Sequence, residues 1–446
     1  MVTMTQAFSN PDSMDEAIWR APEADSHVTP GEIAVGVVIG RTSEYFDFFV
    51  FGLASVLVFP TVFFPHKDTI DGILLSFVIF SLAFLARPLG TALFMSLQRR
   101  WGRSGKLTAA LFLLGTATVS VGFLPDYATA GGTAIFMLVL LRTLQGIAVG
   151  GTWDGLPSLL AINAPPSRRG WYAMLGQLGA PVGFILAAGL FLYLNGTLSK
   201  SDFVDWGWRY PFFVAFAINV VALFARLRLV VAEDFSRMLE KSELEPTNAK
   251  ELINAQSGNI LIGAFSSLAT YALFHLVTVF PLSWVPLGMV ESDNQVLTVQ
   301  LVGALLAIIA ILASGFIADR IGRVRTLSAV AILIGVFSFF VPSLLTGGAG
   351  SQNTFILIGF ILLGLSYGQS HGVVSGSFPR RYRYTGAALT ADIGWLIGAA
   401  FAPLVALGLA VKFGTVAVGA YVMSGVVCTL IALYMYNKKT AGSVEN

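Results

Sequence analysis

The sequence predicts an all-α integral membrane protein, with twelve transmembrane helices arranged as two six-helix halves. Three observations carry that prediction. First, 55% of the 446 residues are hydrophobic and only 12% are charged, and the mean hydropathy is +0.76. Soluble globular domains carry about 25% charged residues, so this composition excludes a soluble enzyme or a nucleic-acid binder. Second, the apolar residues gather into twelve runs, each near the roughly 20 residues needed to cross a bilayer. Third, the punctuation of the first six runs returns in the last six at an offset of about 220 residues, as in parallel repeats about an axis along the membrane normal.

The predicted spans of the first half are 32–58, 70–97, 106–124, 133–162, 170–195 and 208–225. Those of the second half are 259–282, 295–318, 326–346, 353–376, 385–410 and 414–436. The two halves therefore cover 32–225 and 259–436. A charged linker, 226–258, separates them, and it carries Glu233, Asp234, Arg237, Glu240, Lys241, Glu243, Glu245, Lys250 and Glu251. Residues 1–31 form a polar, acidic tail with no basic segment leading into an apolar one, so they do not read as a signal peptide. Residues 437–446 form a second short polar tail.

Lysine and arginine set orientation, because cytoplasmic loops carry them in excess. One alternate set of loops holds Arg99, Arg100, Arg103, Lys106, Arg168, Arg169, Arg320, Arg323, Arg325, Arg380, Arg381 and Arg383. The opposite set holds only Lys67, Lys200, Arg209 and Lys412. Both tails and the linker are therefore expected in the cytoplasm, with the chain multi-pass in the inner (plasma) membrane.

The repeat is visible in three places. Arg99-Arg100-Trp101-Gly102-Arg103 follows the second span, and Asp319-Arg320-Ile321-Gly322-Arg323 follows the eighth. Gly179-Ala180-Pro181 in the fifth span is matched by Phe401-Ala402-Pro403 in the eleventh. Each of those spans follows a basic loop ending in glycine, at Gly170 and Gly386.

These residues resemble the major facilitator superfamily, whose loop signature is Gly-x-x-x-Asp-Arg-x-Gly-Arg. Gly315, Asp319, Arg320, Gly322 and Arg323 complete the second copy, whereas the first has Met95 for the glycine and Arg99 for the acid and keeps Arg103. Arg142, Gly146 and Gly150 fit the family's fourth-span pattern. The metabolite:proton symporter branch is resembled more narrowly, through Glu44-Tyr45-Phe46-Asp47-Phe48, Ala86-Arg87-Pro88-Leu89-Gly90 and Phe378-Pro379-Arg380. Thr152 and Gly376 stand where that branch usually has glutamate, and Arg41 where it has asparagine. The resemblance implies a twelve-helix transporter gated by the signature loops.

Ionisable groups within spans cost about 2.5–3.5 kcal/mol to insert and mark functional positions. Arg41, Glu44, Asp47, Arg87, Arg142 and Asp154 fall in the first half, against Asp392, His275 and, near the inner end of the tenth span, His371 in the second. At about 1.5 Å per residue, Glu44 and Asp47 lie roughly 18–23 Å along the first span and Arg142 about 14 Å along the fourth. An Arg142 contact with either acid is therefore feasible, and Arg41, Arg87 and Asp154, nearer the cytoplasmic side, could form a second cluster. Candidate substrate ligands are Arg142, Arg41, Arg87 and Gln177. Candidate proton carriers are Asp47, Glu44, Asp154, Asp392 and His275. Buried ion pairs that only orient helices are the alternative role. The aromatic stretch Tyr45 to Phe49 could instead hold a cation against its rings.

Three interior arginines against four acids leave one carboxylate without a cation. No cofactor or metal is predicted: the single Cys428 excludes multi-cysteine sites. Gly105-Lys106 fails as a P-loop because Arg100 and Leu107 replace its glycine and hydroxyl residue. The expected function is proton-coupled symport of a small organic anion or zwitterion by a monomer that meets lipid and protons and no nucleic acid. A proton-driven exporter of the same fold and a non-transporting membrane sensor are the alternatives.

Overall fold

A computed structural model describes residues 30–152, 160, 164–231, 245–370 and 378–442. Among the described residues every regular element is helical. In hydrocarbon each backbone amide must be satisfied within its own segment, and long apolar runs achieve that as helices.

The first half comprises α1 (Pro30–Leu57), α2 (Thr69–Val121), α3 (Gly132–Gly151), α4 (Arg169–Leu175), α5 (Gly179–Thr197) and α6 (Tyr210–Val231). The second comprises α7 (Ala249–Phe265), α8 (Leu268–Thr278), α9 (Phe280–Gly288), α10 (Asp293–Ile321) and α11 (Arg323–Thr346). It continues with α12 (Ala349–Ser370), α13 (Arg383–Gly398), α14 (Ala402–Phe413) and α15 (Thr415–Gly442). Short turns of helix join several of these.

Helices and spans correspond as follows. The 53 residues of α2 hold two spans, divided where Gly102 takes φ 72° and ψ 179°. A turn at Gly176–Leu178 joins α4 and α5 into one span, and α13 and α14 form its repeat-mate, broken just ahead of Pro403. The seventh span is bent by 44° between α7 and α8. Length and apolarity alone recognise nine helices, or ten with that bent pair, among the described residues. Dividing α2 adds one span. The last is α1, whose Arg41, Glu44 and Asp47 make it too polar for such a test. The fold is thus twelve spans in two halves.

Large apolar side chains such as Phe112, Phe224, Ile309 and Phe339 are exposed on the outer helix faces, where lipid replaces water as the solvent. Inside, a single apolar cluster runs from Phe46 and Phe80 in the first half to Phe274, Phe360 and Trp395 in the second.

Candidate substrate and coupling site

The central site begins with a helix crossing. An added Cβ on Gly146 would fall 2.3 Å from the Ala83 carbonyl oxygen, and one on Gly150 would fall 2.3 Å from that of Arg87. Only glycine allows α3 to approach α2 so closely, the small-residue contact typical of helix pairs in lipid. The crossing sets Arg142 of α3 beside Phe80 and Arg87 of α2. A cavity of about 40 Å³ remains there, bordered by Glu44, Asp47, Arg87, Arg142 and Gln145. A second, of about 20 Å³, lies between the halves against Phe49, Phe184, Phe274, Phe360 and Tyr367. Spaces of this size hold water rather than an organic acid.

Arg142 is buried, and its bonds go to neutral groups. Nε donates to the Phe80 carbonyl at 3.1 Å and Nη1 to Gln145 Oε1 at 3.0 Å. Gln145 in turn donates to Thr118 Oγ1. The guanidinium stacks on Phe51 at 4.1 Å and Phe80 at 4.8 Å from the ring centroids. Its Nη2 has no hydrogen-bond partner. The feasible direct pairing of Arg142 with Glu44 or Asp47 is not made. Depth along a helix fixes the level of a side chain, whereas rotation about the helix axis decides whom it faces.

The two acids of α1 have different partners. Glu44 receives Arg41 at 2.9 Å and Arg226 at 2.8 Å. Asp47 Oδ2 accepts from Asn219 Nδ2 at 2.6 Å, and Asn219 Oδ1 accepts from Ser43. Asp47 Oδ1 is buried without a partner. The candidate Arg41–Arg87–Asp154 cluster is split instead. Arg41 serves Glu44, while Arg87 reaches across to Asp392 of α13 at 2.6 Å. Thr91 donates to the other oxygen of Asp392. Asp154 and His371 lie outside the described residues.

His275 is fully buried with both ring nitrogens unpartnered, packed on Phe48 at 5.2 Å and Phe80 at 5.4 Å. Gln177 is buried in the turn between α4 and α5 and borders neither cavity. The Tyr45 and Tyr367 hydroxyls meet across the halves, and Tyr45 and Phe48 pack on Trp395.

Both ends of the bundle are tied between halves. At the basic end, Asp319 Oδ1 accepts from the amides of Gly170 at 2.7 Å and Trp171 at 3.3 Å. Gln369 donates to the Gly170 carbonyl and accepts from Arg323. Arg320 is exposed, Arg103 is half-buried, and Gly322 turns the chain with φ 89°. Also at this end, Tyr384 of α13 donates to Gln98 and accepts from Lys106 of α2. At the opposite end, Asn195 donates to Asn294 at 2.7 Å.

Sequence reasoning missed Arg226 and Asn219. Arg226 stands at the start of what the sequence presents as a linker, yet it is buried within α6. Four interior arginines therefore face Glu44, Asp47 and Asp392 among the described residues. The signal was available: Asn219 and Arg226 are seven residues, or two turns, apart on one face of α6. That face is the one that meets Asp47 and Glu44 of α1. Thr91, Gln145 and Tyr367 were missed because neutral polar residues leave no mark in a charge count.

Two six-helix halves, buried charge at their interface and ties at both ends define a membrane transporter rather than an enzyme. A model of the Major Facilitator Superfamily matches residues 37–403, and the chain belongs to that family. It is 35% identical to the "Inner membrane metabolite transport protein YhjE" of Escherichia coli (strain K12), over 91% of this chain and 93% of the relative. It is 27% identical to the "Citrate-proton symporter" of Klebsiella pneumoniae, over 92% and 94%. Among solved structures, a crystal structure of a D-xylose-proton symporter shares the fold, with TM-score 0.70 and 19% identity, covering 90% of this chain and 96% of that one.

Proposed function

We propose that this transporter is a proton-coupled symporter of a small organic acid or zwitterion, working by alternating access in the inner membrane with its basic loops and both tails in the cytoplasm. Arg142 takes the substrate carboxylate and Asp47 takes the proton. One observation carries this reading: Asp47 Oδ1 and Arg142 Nη2, both buried and both without partners, belong to residues bordering the same cavity. A donor and an acceptor left open in one low-dielectric space call for a ligand that satisfies them.

The other acids suit proton carriage less well. Neutralising Glu44 would break its ion pairs with Arg41 and Arg226, and neutralising Asp392 would break its pair with Arg87. Leaving a buried partner charge uncompensated costs about 3–5 kcal/mol. A proton on Asp47 breaks no ion pair among the described residues. The names of the relatives, an inner-membrane metabolite transporter and a citrate-proton symporter, agree with this reading.

Asp47→Asn is the test, because it mimics the protonated acid. In proteoliposomes it should abolish uphill uptake driven by a proton gradient and spare exchange of labelled for unlabelled substrate. Glu44→Gln is the matched comparison. Uphill uptake that survives in both variants would remove α1 as the coupling element. The direction of pH-driven flux separates symport from export. Cysteines placed at Lys67 and Ser199, with Cys428 replaced, should label from outside intact cells, and one at Asn437 should not.

A further inference from the structure

Resting on the reading of Arg142 as the carboxylate site, we propose that Asp392 sets the number of carboxylates the substrate can carry, by holding Arg87 and leaving Arg142 as the single guanidinium open to an anion. Four guanidiniums lie in or beside the central site among the described residues. Arg41 and Arg226 both go to Glu44, and Arg87 goes to Asp392. Arg142 bonds only to a carbonyl and an amide oxygen and keeps Nη2 open.

Arg87 borders the same cavity as Arg142, so it is placed to meet a second carboxylate. It is prevented by an acid contributed from the opposite half. That acid is itself anchored, because Thr91 donates to its second oxygen. A dicarboxylate would have to strip Arg87 from Asp392 and leave a buried carboxylate facing the incoming anion. Breaking a buried pair in this way costs enough to lower affinity by at least about 100-fold. The second half offers no compensation, since the only charged residue it sends toward this site among the described residues is Asp392. The site thus takes acids with one carboxylate and rejects matched acids with two or three. Asp392 acts here as a positioning residue, through Arg87.

The test uses the purified full-length protein and a panel of acids matched in carbon skeleton, with one, two or three carboxylates, at about pH 7.5, where all are ionised. Binding is read by ligand-induced thermal shift and by competition for uptake in proteoliposomes. In the unaltered protein, the best single-carboxylate acid should bind at least about 100-fold more tightly than its dicarboxylate match. Asp392→Asn should raise dicarboxylate affinity at least tenfold, because it frees Arg87. A gain of binding of this kind cannot come from misfolding. Adding Arg87→Gln to Asp392→Asn should cancel the gain. Equal affinity for one and two carboxylates in the unaltered protein would overturn the proposal while leaving an organic-acid carrier in place, and so would an Asp392→Asn variant with no gain. If no acid in the panel binds, the assignment of Arg142 as a carboxylate site fails with it.

Discussion

The two signature loops at the basic end share a backbone and differ in chemistry. Gly102 and Gly322 both turn the chain with positive φ, 72° and 89°, at equivalent places in the two halves. Beyond the turn they part. In the second half Asp319 accepts two backbone amides at the start of α4. In the first, Arg99 occupies the matching place, and the start of α13 is met by longer contacts at the Tyr384 hydroxyl, which donates to Gln98 at 3.3 Å and accepts from the Lys106 ammonium at 3.4 Å. The bend is common to both loops because its positive φ favours glycine, whereas the side chains that meet the other half differ. The tie on the second half's loop is the shorter, 2.7 Å at its closest against 3.3 and 3.4 Å.

Asp319→Asn should break the comparison most. It keeps the shape and removes the charge from bonds worth about 1.5–3 kcal/mol. Opening at the basic end should rise at least tenfold, read as the labelling rate of a buried Ser314→Cys reporter in a chain with Cys428 replaced. An unchanged rate would mean that Asp319 is not a latch.

Gly322→Ala and Gly102→Ala come next and should behave alike. Neither added methyl would meet an atom within 4 Å, so the effect is purely the strain of positive φ, about 1–3 kcal/mol. Similar falls in Tm support a shared bend. A fall at one position alone would show that the loops differ in backbone as well.

Tyr384→Phe should weaken the first-half tie by about 1 kcal/mol, because both bonds of the hydroxyl, the one from the Lys106 ammonium included, are long. Its labelling effect at the same reporter should be clearly smaller than that of Asp319→Asn. If the two match, the asymmetry is illusory. The smallest effect belongs to Glu251→Gln. Glu251 meets Arg381 at 2.7 Å, but both are exposed, and such pairs contribute about 0–1 kcal/mol. Raising salt should reproduce most of that change in Tm.

Much of this was legible beforehand, and the divide follows a physical line. The spans follow from transfer free energy accumulated along each segment. The exception in apolarity, α1, was recoverable because its three charges are spaced as a site. The loop signature was legible because Gly322 and Asp319 act through backbone geometry and bonds to backbone amides. The pairing of charges was not. Glu44 was weighed as a proton carrier, yet it is held by two guanidiniums, one of them Arg226 from what reads as a linker. Arg142 was matched to acids at its own depth, yet it faces Phe51, Phe80 and Gln145.

The sequence by itself determined that the chain crosses a membrane in two repeated halves, that its interior charge lies mostly in the first half, and to which superfamily it belongs. These are sums over residues near one another in the chain, and the bilayer's lack of hydrogen-bonding partners makes such sums decisive. Only the tertiary structure decided that Arg87 meets Asp392 across the halves, that Asp47 keeps an oxygen open and that Arg142 keeps a nitrogen open. Those outcomes depend on how each helix is rotated about its axis. Close contacts set that rotation, such as Gly146 against Ala83 and Gly150 against Arg87, and the energy of such a contact belongs to two helices at once.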